Sequence, residues 1–168
     1  MPTLISGSTG VNKITDGTIV NADIASGAAI AGTKLVMPTG SVLQVVSNTF
    51  STVATTSTTA TEIFSLSITP SSTSSKILIT GALHMYRNAA GHNQVQIYRA
   101  ASSLVGFATK DGYGAFHSMM PLNYLDSPST TSAVAYKIYA YIRSGESGTL
   151  NFGDGQTTNT VTLTEIAG

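Results

Sequence analysis

Three histidines are where acid–base or metal chemistry would be sought first: His84, His92 and His117. A zinc protease needs two histidines one helical turn apart, so that both rings meet one ion. No two of these have that spacing, and no carboxylate lies at a motif distance from any of them. A surface or interface position is the plainer reading of each. Three chains meeting on an axis can still gather three copies of one residue around an ion, which spacing within one chain does not reveal. There is no cysteine, which removes thiolate nucleophiles, thiolate metal sites and disulfides together. Gly112-Tyr113-Gly114 runs into Ala115, Phe116 and His117, so it opens no helix and is not a dinucleotide fingerprint. Gly153-Asp154-Gly155 reads as a tight turn with too few oxygen ligands for calcium. In the run from Ser144 to Gly148 the serine is one place away from the centre of a nucleophile elbow. Asp111, Asp126, Glu146 and Asp154 are the carboxylates a glycosidase pair would draw on, but a head this small leaves little room for a deep substrate groove. No catalytic residue, metal ligand or cofactor is expected, and the chain reads as non-enzymatic.

The composition shows what has to position these groups. Of 168 residues, 42% are hydrophobic, enough for a core, while only 10% are charged, against about 25% in an ordinary domain. Net charge is zero and no basic or acidic block occurs, so neither nucleic acid nor an anionic membrane surface is an expected partner. Solubility then rests on a well-closed fold or on assembly. No run approaches the roughly 18 apolar residues of a membrane helix, and residues 1–11 carry neither the basic nor the apolar region of a signal peptide. A soluble chain without membrane insertion is expected.

From residue 39 to 168 the pattern is that of an all-β head. Residues 41–47, 61–69, 75–86, 93–99, 102–109, 115–125, 132–143 and 158–166 are eight candidate strands separated by Gly, Ser, Asn, Asp and Pro clusters. Alternation puts Ile77, Ile79, Gly81, Leu83 and Met85 on one face of their strand, and Val134, Tyr136, Ile138, Ala140 and Ile142 on one face of theirs. Phe64, Leu66 and Ile68 form a shorter row, as do Val95 with Ile97 and Val161 with Leu163. Eight strands with one apolar face each predict a two-sheet sandwich, the jelly roll being the common eight-stranded form.

Residues 1–38 follow a different grammar. Ile14, Ile19 and Ile24 recur every five residues, and Ile30 and Leu35 continue the series after one six-residue step, with turn formers between them. Neither a helix nor a strand has that period. One isoleucine per short turn cannot bury itself in a single chain, whereas several copies wound together share a core. The segment is expected to be an extended stalk, with a flexible leader as the plainer alternative.

The run Lys13 to Leu35, KITDGTIVNADIASGAAIAGTKL, resembles the low-complexity repeats of bacteriophage tail-fibre proteins. The run TSSKILI, Thr73 to Ile79, and the ending VTLTEIAG, Val161 to Gly168, are similar to short phage fibre and tail proteins. Their heads resemble the trimeric jelly roll of the complement-globular-head and tumour-necrosis-factor families. The resemblance implies a homotrimer located in the virion, made in the host cytoplasm and joined to another virion protein through its N-terminal segment. It further implies host attachment by binding a surface glycan or protein. A structural decoration protein of capsid or tail and a small polysaccharide depolymerase are the competing readings.

If successive strands of the head alternate in direction, the connections after the first, third, fifth and seventh gather at the tip, away from the stalk. These are residues 48–60, 87–92, 110–114 and 144–157. They hold the candidate receptor-binding residues Arg87, Asn88, His92, Lys110, Asp111, Tyr113, Asn151, Phe152 and Asp154. A second candidate is the side wall made by Gln94, Gln96, Tyr98, Lys137, Tyr139 and Tyr141, on the outward faces of two strands expected to share a sheet.

Overall fold

Period-two alternation becomes ten antiparallel strands in a computed structural model that describes residues 36–112, 116–155 and 157–168. The isoleucine series Ile14, Ile19, Ile24, Ile30 and Leu35, and Tyr113 in the head, lie outside the described residues. The strands are β1 (Val42–Phe50), β2 (Val53–Thr55), β3 (Thr61–Ile68), β4 (Lys76–Arg87) and β5 (Gly91–Arg99), followed by β6 (Ser102–Asp111), β7 (Phe116–Asp126), β8 (Val134–Ile142), β9 (Leu150–Phe152) and β10 (Asn159–Ile166). Residues Met37–Gly168 form one compact unit.

One sheet has the order β1-β10-β4-β9-β2 with β7 on the far edge of β4, and the other has the order β3-β8-β5-β6. β9 and β10 lie on the same edge of β4: β9 pairs with residues 85–87 and β10 with residues 76–82. They are two halves of one interrupted strand. β1 and β2 run alongside as another, β1 on β10 and β2 on β9. Counted that way there are eight strands, ordered first-eighth-third-sixth in one sheet and second-seventh-fourth-fifth in the other. That is the connectivity of a jelly roll, and all eight expected strands are present.

The predicted apolar rows meet between the sheets. Ile77, Ile79, Leu83 and Met85 face Val134, Tyr136, Ile138, Ala140 and Ile142, joined by Val95, Ile97, Val161 and Leu163. Gly81 interrupts the β4 row because a Cβ there would stand 2.7 Å from the Thr160 carbonyl oxygen of the adjacent strand. Phe64 and Leu66 share the inward face but stay half-buried on the edge strand β3, where a bulge puts Ile63 into the core instead. Phe64 stacks on Phe50 across the sandwich, ring centres 4.8 Å apart.

The two interruptions fall at one level, and a buried side chain joins them. Asn159 accepts the His84 N–H (2.7 Å) and donates to the Phe50 carbonyl (3.3 Å), replacing ladder bonds lost where both strands break. Sequence alternation did not reveal β2 and β9, because three residues are too few to show a period.

Candidate functional site

The predicted tip exists as a place. Gly91 pairs with Asp111, Arg87 with both Phe116 and Leu150, and the Ile142 N–H donates to the Ser57 carbonyl (2.9 Å). The strand ends at the four odd connections therefore meet at one end of the head. The candidate residues in them divide sharply once side chains are considered.

Arg87 is completely buried, as the last inward position of β4. Its guanidinium donates to Glu146 Oε2 (3.0 Å) and to the carbonyls of His92 (3.0 Å) and Ser147 (2.6 Å). Glu146 also accepts the His92 backbone N–H (2.6 Å) and contacts the ring Nδ1 (2.7 Å). Burial works to raise the Glu146 pKa, but the hydrogen bonds from His92 and Arg87 outweigh it and hold the carboxyl at about 2. Two glycines make room for this knot. A Cβ on Gly91, at φ 145°, would collide with the Glu146 carboxylate and the Arg87 guanidinium; one on Gly148, at φ 100°, would meet Asn88 and Ala89. Asn88 Oδ1 accepts the Thr149 N–H (2.8 Å), tying the two loops together. The sequence reading of Arg87 as an exposed recognition group is thus corrected: an internal ion pair turns it inward, and His92 is held with it.

Phe152 is corrected as well. It is fully buried, an inward position of β9. Asn151, on the opposite face, is half-buried and donates to the carbonyls of Tyr86 (3.4 Å) and Thr149 (3.3 Å). Asp154 is exposed and follows Gly153, whose N–H donates to the carbonyl of His84 (2.9 Å), three residues short of Arg87. Its Oδ1 accepts from the Thr157 N–H (2.8 Å) and hydroxyl (2.9 Å). Lys110 is exposed on the outward face of β6 opposite His92, and Asp111 closes that strand. Of the carboxylates considered for a glycosidase pair, Asp126 is far from Glu146. Asp126 lies at the other pole, bonded to Arg99 (2.9 and 3.0 Å) and to the Tyr136 hydroxyl (2.6 Å). The β4 ladder puts it ten residues, roughly 33 Å, from the tip end.

The side wall is assembled as read. β5 and β8 are neighbours in a register that sets Gln94 against Tyr141, Gln96 against Tyr139 and Tyr98 against Lys137. All six face outward and are half-buried. The rings of Tyr98 and Tyr139 lie diagonally across the pair, centres 4.3 Å apart and inclined by 36°. Tyr98 donates its hydroxyl to Gln96 Oε1 (3.3 Å). Glu62 on β3 accepts from Lys137 Nζ (2.8 Å) and from the Tyr139 hydroxyl (3.4 Å). That hydrogen bond, then the carboxylate charge, pushes the Lys137 pKa up and keeps the ammonium charged. On the other side of β5, Gly106 and Ala108 pair with Gln96 and Gln94, and the Gln96 side chain lies in van der Waals range of the space above Gly106.

On the opposite sheet His117 packs between Tyr86 (4.5 Å between ring centres) and His84 (5.9 Å). Among the described residues no cluster of three or more His, Cys, Asp or Glu is placed to hold a metal ion, and no helix is long and apolar enough to cross a membrane.

No known protein family matches the chain, and no curated protein is significantly similar. Solved structures of infectious bursal disease virus do match. The VP2 subviral particle is 17% identical with a TM-score of 0.43 over 84% of this chain. The Gt strain of the virus is 16% identical with a TM-score of 0.46 over 82%. This chain spans 42% and 36% of the length of those two chains.

Proposed function

We propose that the chain is a non-enzymatic virion structural protein whose head attaches the particle to the host cell through the side wall of β5 and β8. The observation that carries this is the outward row of three tyrosines, two glutamines and one ion-paired lysine, set side by side by the β5–β8 register. A rigid sheet holds these groups in fixed relation, and amphipathic rings with amides are what a recognition surface needs. The resemblance of residues 13–35 to phage fibre repeats supports placement on a tail fibre or spike, with homotrimers of the chain as the unit. Asn88 and Lys110 at the tip are secondary contacts in this reading, since Arg87, His92 and Phe152 are turned inward or held there.

The test is competition for adsorption. Soluble full-length chain is expected to block attachment of particles to host cells; Tyr139→Ala and Tyr98→Ala chains are expected not to, while Met119→Ala, on the opposite sheet, blocks like the parent. Equal blocking by all four would move the site away from the wall. No blocking by any would favour a decoration protein of capsid or tail.

A further inference from the structure

We infer that the side wall recognises an uncharged carbohydrate, through hydroxyl groups and a sugar ring face. This rests on the reading of the wall as the attachment surface and adds the chemical class of its ligand.

Three features of the wall point the same way. The first is charge. Lys137 is committed to Glu62 at 2.8 Å, so the pair contributes a cation and an anion together. Arg99 is turned to Asp126 at the base. Among the described residues the other cations of this side, Lys110 and Arg143, stand at its tip end. Each is four residues from the level of Gln96 and Tyr139, roughly 13 Å along the strand. A carboxylate or sulfate on a ring seated at Tyr139 would find no cation free to form a charge-assisted hydrogen bond.

The second is the kind of polar group available. Gln94 and Gln96 stand two residues apart on one face, and each amide offers both donors and an acceptor. A sugar hydroxyl is likewise donor and acceptor, so adjacent hydroxyls can be satisfied by such amides. An acidic group accepts only, so it would engage the amide N–H groups and supply no donor to the Gln94 oxygen, while the Gln96 oxygen already accepts from the Tyr98 hydroxyl.

The third is shape. The tilted Tyr98–Tyr139 pair gives an aromatic surface for the C–H face of a pyranose, and the small Gly106 and Ala108 beside the two glutamines add no bulky side chain to that wall. Tyrosines serve protein ligands too, so protease treatment of the cells is what separates the two ligand classes. The large exposed apolar side chains of the described residues, such as Met119, Val45 and Leu125, lie on the other sheet.

The experiment applies full-length chain to immobilised oligosaccharides of two kinds, neutral, and acidic (sialylated, sulfated or uronic). Host-cell binding is then measured with and without the neutral binders as competitors, and after protease treatment of the cells. Binding to neutral members is expected, weakened at least tenfold by Gln96→Ala and by Tyr139→Ala, each with a thermal melt matching the parent. Lys137→Ala should change it less than threefold, and Glu62→Gln, which releases Lys137, should add binding to acidic members. Binding confined to acidic members would overturn the inference and leave the wall as the attachment surface. So would wall-dependent cell binding that neutral sugars do not compete and protease abolishes. Cell binding unaffected by Tyr139→Ala and Tyr98→Ala would overturn the attachment reading itself.

Discussion

A carboxylate at the tip shows how single residues set the behaviour of this head. Glu146 pairs with a fully buried guanidinium, so its removal leaves Arg87 with backbone carbonyls alone. Breaking a buried pair costs about 3–5 kcal/mol, and Glu146→Gln is expected near the low end because those carbonyls remain. The pH dependence follows from its pKa, lowered from 4.5 to about 2. The native state then binds this proton less readily than the unfolded chain. The stabilisation is present above the unfolded value and disappears as pH falls toward the folded one. Melting temperatures of the parent and Glu146→Gln should differ most near neutral pH and converge between pH 4.5 and 2; a gap that persists at pH 2 would show the carboxylate charge is not its source. Glu165 makes a second such case without a cation. It is fully buried, and although burial opposes ionisation, its hydrogen bonds lower its pKa. Ser71 donates through both its N–H and its hydroxyl, and Gln44 through its amide. The sequence could nominate Arg87 and His92 as polar groups in tip loops, but not their direction. A long charged side chain points to water or inward depending on whether a counter-ion arrives from a distant loop, here 59 residues away for Arg87.

At the scale of elements, what a strand reveals depends on its length. β4 spans twelve residues and β8 nine, long enough for alternation to show both strand and inward face. Leu83 and Ile138, each mid-strand and buried, should cost roughly 2–5 kcal/mol on truncation to Ala, measured by chemical denaturation. β9 spans three residues, so Phe152 passed for a loop aromatic. The side wall, by contrast, was legible, because the same alternation that points Val95 and Ile138 inward points Gln94 and Tyr139 outward; only the register of β5 against β8 had to be supplied by the fold. The paired interruption of the first and eighth strands was not legible, since Asn159 reads in sequence as one more residue of the strand 158–166 and nothing there shows which backbone groups its side chain meets. Replacing it with Ala strands the His84 N–H and the Phe50 carbonyl, at roughly 1–3 kcal/mol for each group left unsatisfied. Urea denaturation should show that loss, and a change below about 0.5 kcal/mol would mean water takes over both bonds.

For the whole molecule, assembly is the property to measure. Light scattering of the full chain is expected to give near three times 17.3 kDa, and Ile19→Ser with Ile24→Ser should weaken the assembly while the head still melts cooperatively. A monomer at micromolar concentration would refute the trimer. The head offers two unlike broad faces, one polar and aromatic, the other carrying Val45, Met119 and Leu125 exposed. At its base the incoming and outgoing chain are bonded to each other: Gly40 N–H to the Ala167 carbonyl, and Ala167 N–H to the Ser41 carbonyl, both 2.8 Å. Entry and exit therefore share one doorway, which makes residues 40–167 a cassette. Such a unit can be spliced into a surface loop of an unrelated carrier without prying that loop's ends apart. Rejoining 167 to 40 by a short linker would allow the chain to be reopened at residues 88–90, turning the head end for end on whatever displays it.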